Sequence, residues 1–216
     1  FSTGRPNPIL VVDDDKGKDN EKYVLEALDN NEYSYSVWDT SEKGIPSAVD
    51  LRLHEVVIWT NGYQYDKPIT SDEEEVIKEY LDHNGKLFLS SEDYLYYQND
   101  VSSLMRDYLQ IDSFETNYGG IDNITAVEND TVVGDLGTMN ITYPYWHKKA
   151  DNAYPNENGS VMFKDPDNSS VAIRTNNESL PFRNVFFSIP FDAVHYDSEQ
   201  NGTVVMNRII DWLNPE

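Results

Sequence analysis

The sequence predicts a single doubly wound α/β domain, a parallel sheet with helices on both faces. Three observations predict it. Short apolar runs end abruptly in polar residues, those runs alternate with segments of helical spacing, and 216 residues suffice for one such domain with an insertion. Parallel strands need crossover connections, and such crossovers are right-handed.

Pro8 to Asp15 (PILVVDDD) reads as a buried strand that stops where solvent begins. Tyr23, Val24, Ala27 and Leu28 recur at helical spacing. Tyr33 to Asp39 (YSYSVWD) gives the second strand, and Ile45 to Leu53 a weak helix or loop. Glu55 to Trp59 (EVVIW), closed by Thr60-Asn61-Gly62, gives the third. Ser71 and Glu74 then have capping-box spacing ahead of the apolar face Val76, Ile77, Tyr80 and Leu81, which predicts a helix from Ser71 to His83 stopped by Asn84-Gly85. Lys86 to Ser90 (KLFLS) is the fourth strand, and Val101, Leu104, Met105 and Tyr108 mark another helix.

From Ser113 to Pro181 the pattern changes to Gly, Asn, Asp, Thr and aromatic residues, with extended pieces at Val132-Val133 and Val171 to Arg174. This is a β-rich excursion (113–181) within one domain (1–216), since no linker or repeat divides the chain. Asn184 to Ile189 returns to a core strand, and Val205, Ile209, Trp212 and Leu213 lie on a closing helix.

Composition narrows function by exclusion. The net charge of −23 disfavours nucleic acid and anionic membranes as partners. The absence of cysteine excludes disulfides, thiolate metal sites and cysteine nucleophiles. No apolar run approaches a membrane span, so no membrane insertion of this segment is expected. The start at Phe1, without an initiator Met or signal pattern, reads as a trimmed or processed segment. Salt adaptation would also explain the acidity, but solubility on a crowded exterior is sufficient.

In an open parallel sheet, ligands bind beyond the carboxyl ends of the strands, and the polar clusters fall there: Asp13 to Asp15, Asp39, Thr60-Asn61 and Ser90 to Asp93. Three chemistries compete. A phosphoacceptor pocket would need an aspartate after the third strand, where Thr60 and Asn61 stand. A calcium site would draw on Asp13, Asp15 and Asp39 with carbonyl oxygens, although adjacent aspartates cannot all aim at one ion and acids commonly serve turns and caps. No other cofactor is expected. A serine nucleophile at Ser90 or Ser91 would need His147 or His195, because His54 and His83 fall on the opposite edge of the sheet. It would also need small flanking residues at its elbow, and Leu89 and Glu92 are not small.

Taken together, PILVVDDD, VWDT, EVVIWTNG, YLDHNGKLFLSSEDY, FFSIPFDAV and RIIDWL resemble the class I glutamine amidotransferase-like (flavodoxin-like) modules of archaeal and bacterial cell-surface proteins, over Pro8 to Leu213. In catalytic members a cysteine sits at the elbow after the strand matching Lys86 to Ser90, and a histidine follows the last core strand before a proline. Here Ser90-Ser91 and Ile189 occupy those positions. The resemblance therefore implies a noncatalytic scaffold, and fold alone does not assign its ligand.

Sequons at Asn123, Asn129, Asn140, Asn158, Asn168, Asn177 and Asn201 point to an extracellular or cell-surface location: seven occur where 21 Asn and 28 Ser plus Thr predict about three by chance. Co-occurrence of turn-forming residues is the competing explanation. The expected ligand or interaction crevice comprises Asp14, Asn61, Glu92, Tyr94, Tyr97 and Trp146, with Tyr96 and Tyr145 beside them. Loop aromatics either cover the core or stay exposed to meet a partner. The expected partners are neighbouring domains or surface proteins, with glycans as the second class.

Overall fold

The computed structural model describes residues 6–116 and 119–215, so Phe1 lies outside it. Strands β1 (Ile9–Asp13), β2 (Tyr35–Asp39), β3 (Val56–Thr60), β4 (Lys86–Ser90) and β11 (Arg183–Phe187) are joined in parallel in the order β2-β1-β3-β4-β11. Ile9 pairs with Val56 and Val12 with Trp59, the side-by-side register that the two apolar runs predict. The connections leave β1 toward β2 on one side and continue from β3 on the other. The sheet thus has its switch point between β1 and β3, where a crevice opens at the carboxyl ends.

Each face carries its own core. Ile9, Val11, Ile58, Phe88 and Phe187 pack under α1 (Lys22–Asn30), α5 (Phe191–Asp197) and α6 (Glu199–Leu213). On the other face Leu10, Val12, Trp59, Leu89 and Phe186 are covered by α3 (Ala48–Leu51), α4 (Ser71–Leu81) and a π-helical turn at Leu104–Tyr108. The short α2 (Thr40–Lys43) follows β2, and the stretch from Ile45 to Leu53, expected as a weak helix or loop, holds the brief α3 between loop residues.

The capping box of α4 lies one residue earlier than Ser71 and Glu74 suggest. Thr70 takes the extended N-cap conformation and its hydroxyl accepts from Glu73 N, while Glu73 returns to Thr70 N at 2.6 Å. Glu74 instead accepts from the buried Tyr94 hydroxyl at 2.6 Å.

The second half extends the sheet instead of standing apart from it. Beyond β11 come β10 (Ser170–Thr175), β9 (Gly159–Lys164), β6 (Asn123–Ala126) and β7 (Thr138–Asn140), all antiparallel. A separate ribbon of β5 (Ile111–Glu115) and β8 (Asn152–Pro155) places Ile111 and Ala153 in the second core. Val132-Val133 is a buried turn between β6 and β7, not a strand. Asp130 fixes that turn by accepting from Val132 N and Val133 N and by pairing with buried Arg174 at 2.9 Å. Among the described residues no helix is long and apolar enough to cross a membrane.

Candidate functional site: the acidic crevice at the carboxyl edge

Because β1, β4 and β11 are all followed by acids at one edge of the sheet, their carboxylates converge in a buried setting. Asp13, Asp14, Asp15, Glu92, Asp93 and Asp192 are all buried. Burial disfavours the charged form and the neighbouring acids reinforce it. Desolvation, followed by Asp15 and Glu21, pushes Asp13 up to about 8. Desolvation and then Glu73 push Asp14 up to about 7. Desolvation and then Asp93 push Glu92 up to about 10. Asp192, fully buried, rises to about 8 through desolvation.

Asp14 and Asn61 act as a stitch across the switch point. Asp14 accepts from Thr40 Oγ1 (2.8 Å), Trp59 Nε1 (3.2 Å) and Asn61 Nδ2 (2.8 Å), and Asn61 Nδ2 also donates to Pro68 O. Asp15 organises the loop after β1, accepting from Lys18 N and Asn20 N, both at 2.7 Å. Asp13, Asp15 and Glu21 come within 4.8 Å of one another as one group able to hold a cation. Asp39 serves a different purpose: it caps α2 by accepting from Ser41 N and Ser41 Oγ, bonds that hold its carboxyl below the usual range.

The two serines after β4 differ. Ser90 Oγ accepts from Phe191 N at 2.9 Å and donates to Ile189 O at 3.4 Å, which ties β4 to the start of α5. Ser91 Oγ is buried with no hydrogen-bond partner. Neither bonds to a histidine. His147 Nε2 meets Asp93 Oδ2 at 2.7 Å. His195 is buried between α1 and α6, with Glu26 Oε2 3.3 Å away and its ring stacked on Phe191. His54 and His83 lie beside Glu55 and Lys86 at the amino-terminal ends of β3 and β4. Ile189, where the resemblance implies a histidine in catalytic members, is fully buried in the core.

A loop of the excursion closes over this edge. Lys149 N donates to Glu92 Oε1, and the Tyr143 hydroxyl donates to Lys149 O at 2.8 Å. The Tyr145 hydroxyl reaches Asp192 at 3.4 Å, and its ring lies 4.0 Å from that of Tyr63. Burial disfavours the charged form of Lys18 while the charges of Asp15 and Asp93 favour it; its Nζ lies 4.5 Å above Tyr63 and 5.1 Å from Tyr65 and donates to Gln64. Of the aromatics expected at the mouth, Tyr94 is buried and Tyr145 half-buried. Tyr96 (41% exposed), Tyr97 (39%) and Trp146 (76%) stay open. Tyr65 joins them, 6.3 Å from Trp146 and 5.5 Å from His147.

Glu21, Tyr63, Tyr65, Lys149 and Asp192 are components that sequence reasoning missed. Asp192 had a signal, an acid two residues after the proline that follows the last core strand. Lys149 had none, since it meets Glu92 across 57 residues through a backbone amide. None of the seven sequon asparagines is buried, although Asn158 and Asn177 bond each other at 2.8 Å.

No protein-family model matches the chain, and no curated protein matches it in sequence. Solved structures do resemble it. A putative GMP synthase subunit protein from Thermoplasma acidophilum superposes with a TM-score of 0.65 at 10% identity, over 97% of this chain and 96% of that one. A glutamine amidotransferase from Thermotoga maritima gives 0.65 at 11% identity, over 97% and 99%. The exo-β-1,4-mannosidase Op5Man5 of Opitutaceae bacterium strain TAV5 gives 0.60 at 11% identity, over 95% of this chain and 35% of that one. Identities this low speak for the fold alone, and the fold is that of the class I glutamine amidotransferase-like proteins.

Proposed function

We propose that the chain is a noncatalytic interaction module of the cell exterior, built on an amidotransferase-like scaffold and meeting its partner through the rim of the closed crevice. The observation that carries this reading is the rim itself: Tyr65, Tyr96, Tyr97 and Trp146 stand exposed around a crevice that Tyr145, His147 and Lys149 already fill. Large amphipathic rings held open at a fixed edge are the side chains that interfaces use. The amidotransferase positions support the same reading, because the Ser90 hydroxyl is committed to backbone groups and Ile189 is core. The partner is a neighbouring domain or another surface protein. Carbohydrate is the second class, since sugars stack on such rings and the mannosidase carries this fold within a longer chain. The sequons, which all reach the surface, support an extracellular setting.

The test is a rim variant, Trp146→Ala with Tyr97→Ala, compared with the wild type on a glycan array and against candidate surface domains. Saturable binding that the variant loses at an unchanged melting temperature supports the reading. Binding indifferent to the rim, or none with either class, removes it.

One observation favours a serine hydrolase instead: Ser91 Oγ is buried without a hydrogen-bond partner, two residues before the Asp93 that pairs with His147.

A further inference from the structure

Beneath the rim the crevice gathers two carboxylates and an imidazole, with His147 Nε2 and Asp93 Oδ2 already 2.7 Å apart. Glu92 and Asp93 follow β4, and His147 comes from the covering loop. One ligand atom from each lies within 4.8 Å of the other two. Glu92 is fully buried, and its Oε2 has no hydrogen-bond partner. A carboxylate oxygen taken out of water and left unbonded is costly unless something cationic completes it. Its other oxygen is held by Lys149 N, so the side chain is oriented rather than loose.

We propose that Glu92, Asp93 and His147 bind one divalent first-row transition metal ion, with zinc as its representative. An imidazole with two carboxylates is a nitrogen–oxygen donor set that zinc and its neighbours accept, whereas calcium and magnesium prefer oxygen alone. Two carboxylates and a neutral imidazole balance a divalent charge. Three protein ligands leave a coordination position for water or a partner's oxygen atom. Asp13, Asp15 and Glu21 offer a weaker alternative, with no imidazole and with both Asp15 oxygens already taken by Lys18 N and Asn20 N.

An ion at this position would join the end of β4 to the covering loop, so metal binding and loop closure become one event. Zinc should therefore raise the melting temperature as well as bind, because it stabilises only the closed, folded chain.

The experiment uses the full chain, tag-free and stripped with a chelator, titrated with zinc by calorimetry and with cobalt(II) by visible absorption. One equivalent of zinc is expected, with a Kd of about micromolar or tighter, together with cobalt bands of low coordination number. His147→Ala should weaken binding at least about 100-fold, more than outer-shell changes do. Asp93→Asn and the shift of the His147 ring resonances on adding zinc provide the same readout where His147→Ala is poorly folded. Three results would overturn the proposal: no stoichiometric binding, binding unchanged by His147→Ala and Asp93→Asn, or binding abolished only by Asp15→Asn.

Discussion

Replacing Asp192 by Asn should make the protein more stable at alkaline pH and leave it unchanged near pH 4. Asp192 opens α5 with its carboxyl fully buried: Oδ1 has no partner, and Oδ2 meets the Tyr145 hydroxyl at 3.4 Å. Its folded-state pKa of about 8 lies above the ordinary 3.8, chiefly through desolvation and then the charge of Asp15. Below about pH 4 both folded and unfolded chains carry the proton, and the group is neutral to stability. Between about 4 and 8 the unfolded chain has released it while the folded chain keeps it, so stability falls as pH rises. At about 1.4 kcal/mol per pKa unit, a rise of about four units sets an upper bound of about 6 kcal/mol, reached above pH 8. Asparagine keeps the shape and the acceptor for Tyr145 but has no proton to lose. Urea denaturation of both proteins in chelator at pH 4.5, 6 and 8 reads the effect together with the smaller one on Glu92, which the Asp192 charge also pushes up. The stability difference should grow with pH to several kcal/mol in favour of Asp192→Asn. Parallel profiles, or a variant less stable at pH 8, would refute the reasoning.

Ser90→Ala should destabilise the fold by about 1–3 kcal/mol, since Phe191 N–H is left buried without its acceptor; chemical denaturation measures it. Gly202→Ala in α6 would place a methyl group 2.6 Å from His195 Cβ and 2.7 Å from its Cα. The overpacking penalty of about 1–3 kcal/mol should exceed the helix-propensity gain of about 1 kcal/mol, and a higher melting temperature would contradict this. Asp130→Ala should lose about 3–5 kcal/mol in denaturation, because Arg174 is left buried without its counter-charge and the turn after β6 loses two amide acceptors.

How much of this was legible in the sequence depends on how local the cause is. β1 and β4 are apolar runs closed by polar residues, so hydrophobic patterning alone places them. The box on α4 was legible as a motif but not in register, because Thr70/Glu73 and Ser71/Glu74 have the same spacing. Tertiary contact decides between them: Tyr94 takes Glu74. The excursion was legible only as β-rich, since β6 pairs with β9 across a long insertion and its edge addition to the parallel sheet has no local signature. The crevice divides in the same way. Asp13 to Asp15, Asn61 and Glu92 follow from strand ends, whereas His147 reaches Asp93 across 54 residues. The Asp39 carboxylate, at the end of β2, turns into a helix cap two residues on, an alternative that a lone acid at a strand end does not exclude.

The most direct test of the central claim, a closed crevice without an activated nucleophile, is incubation with a fluorophosphonate probe followed by intact-mass measurement. The account predicts no covalent adduct, because Ser90 Oγ is bonded to the backbone at Ile189 and Phe191, and Ser91 Oγ makes no hydrogen bond to a histidine. Stoichiometric labelling that disappears in Ser90→Ala or Ser91→Ala would contradict it.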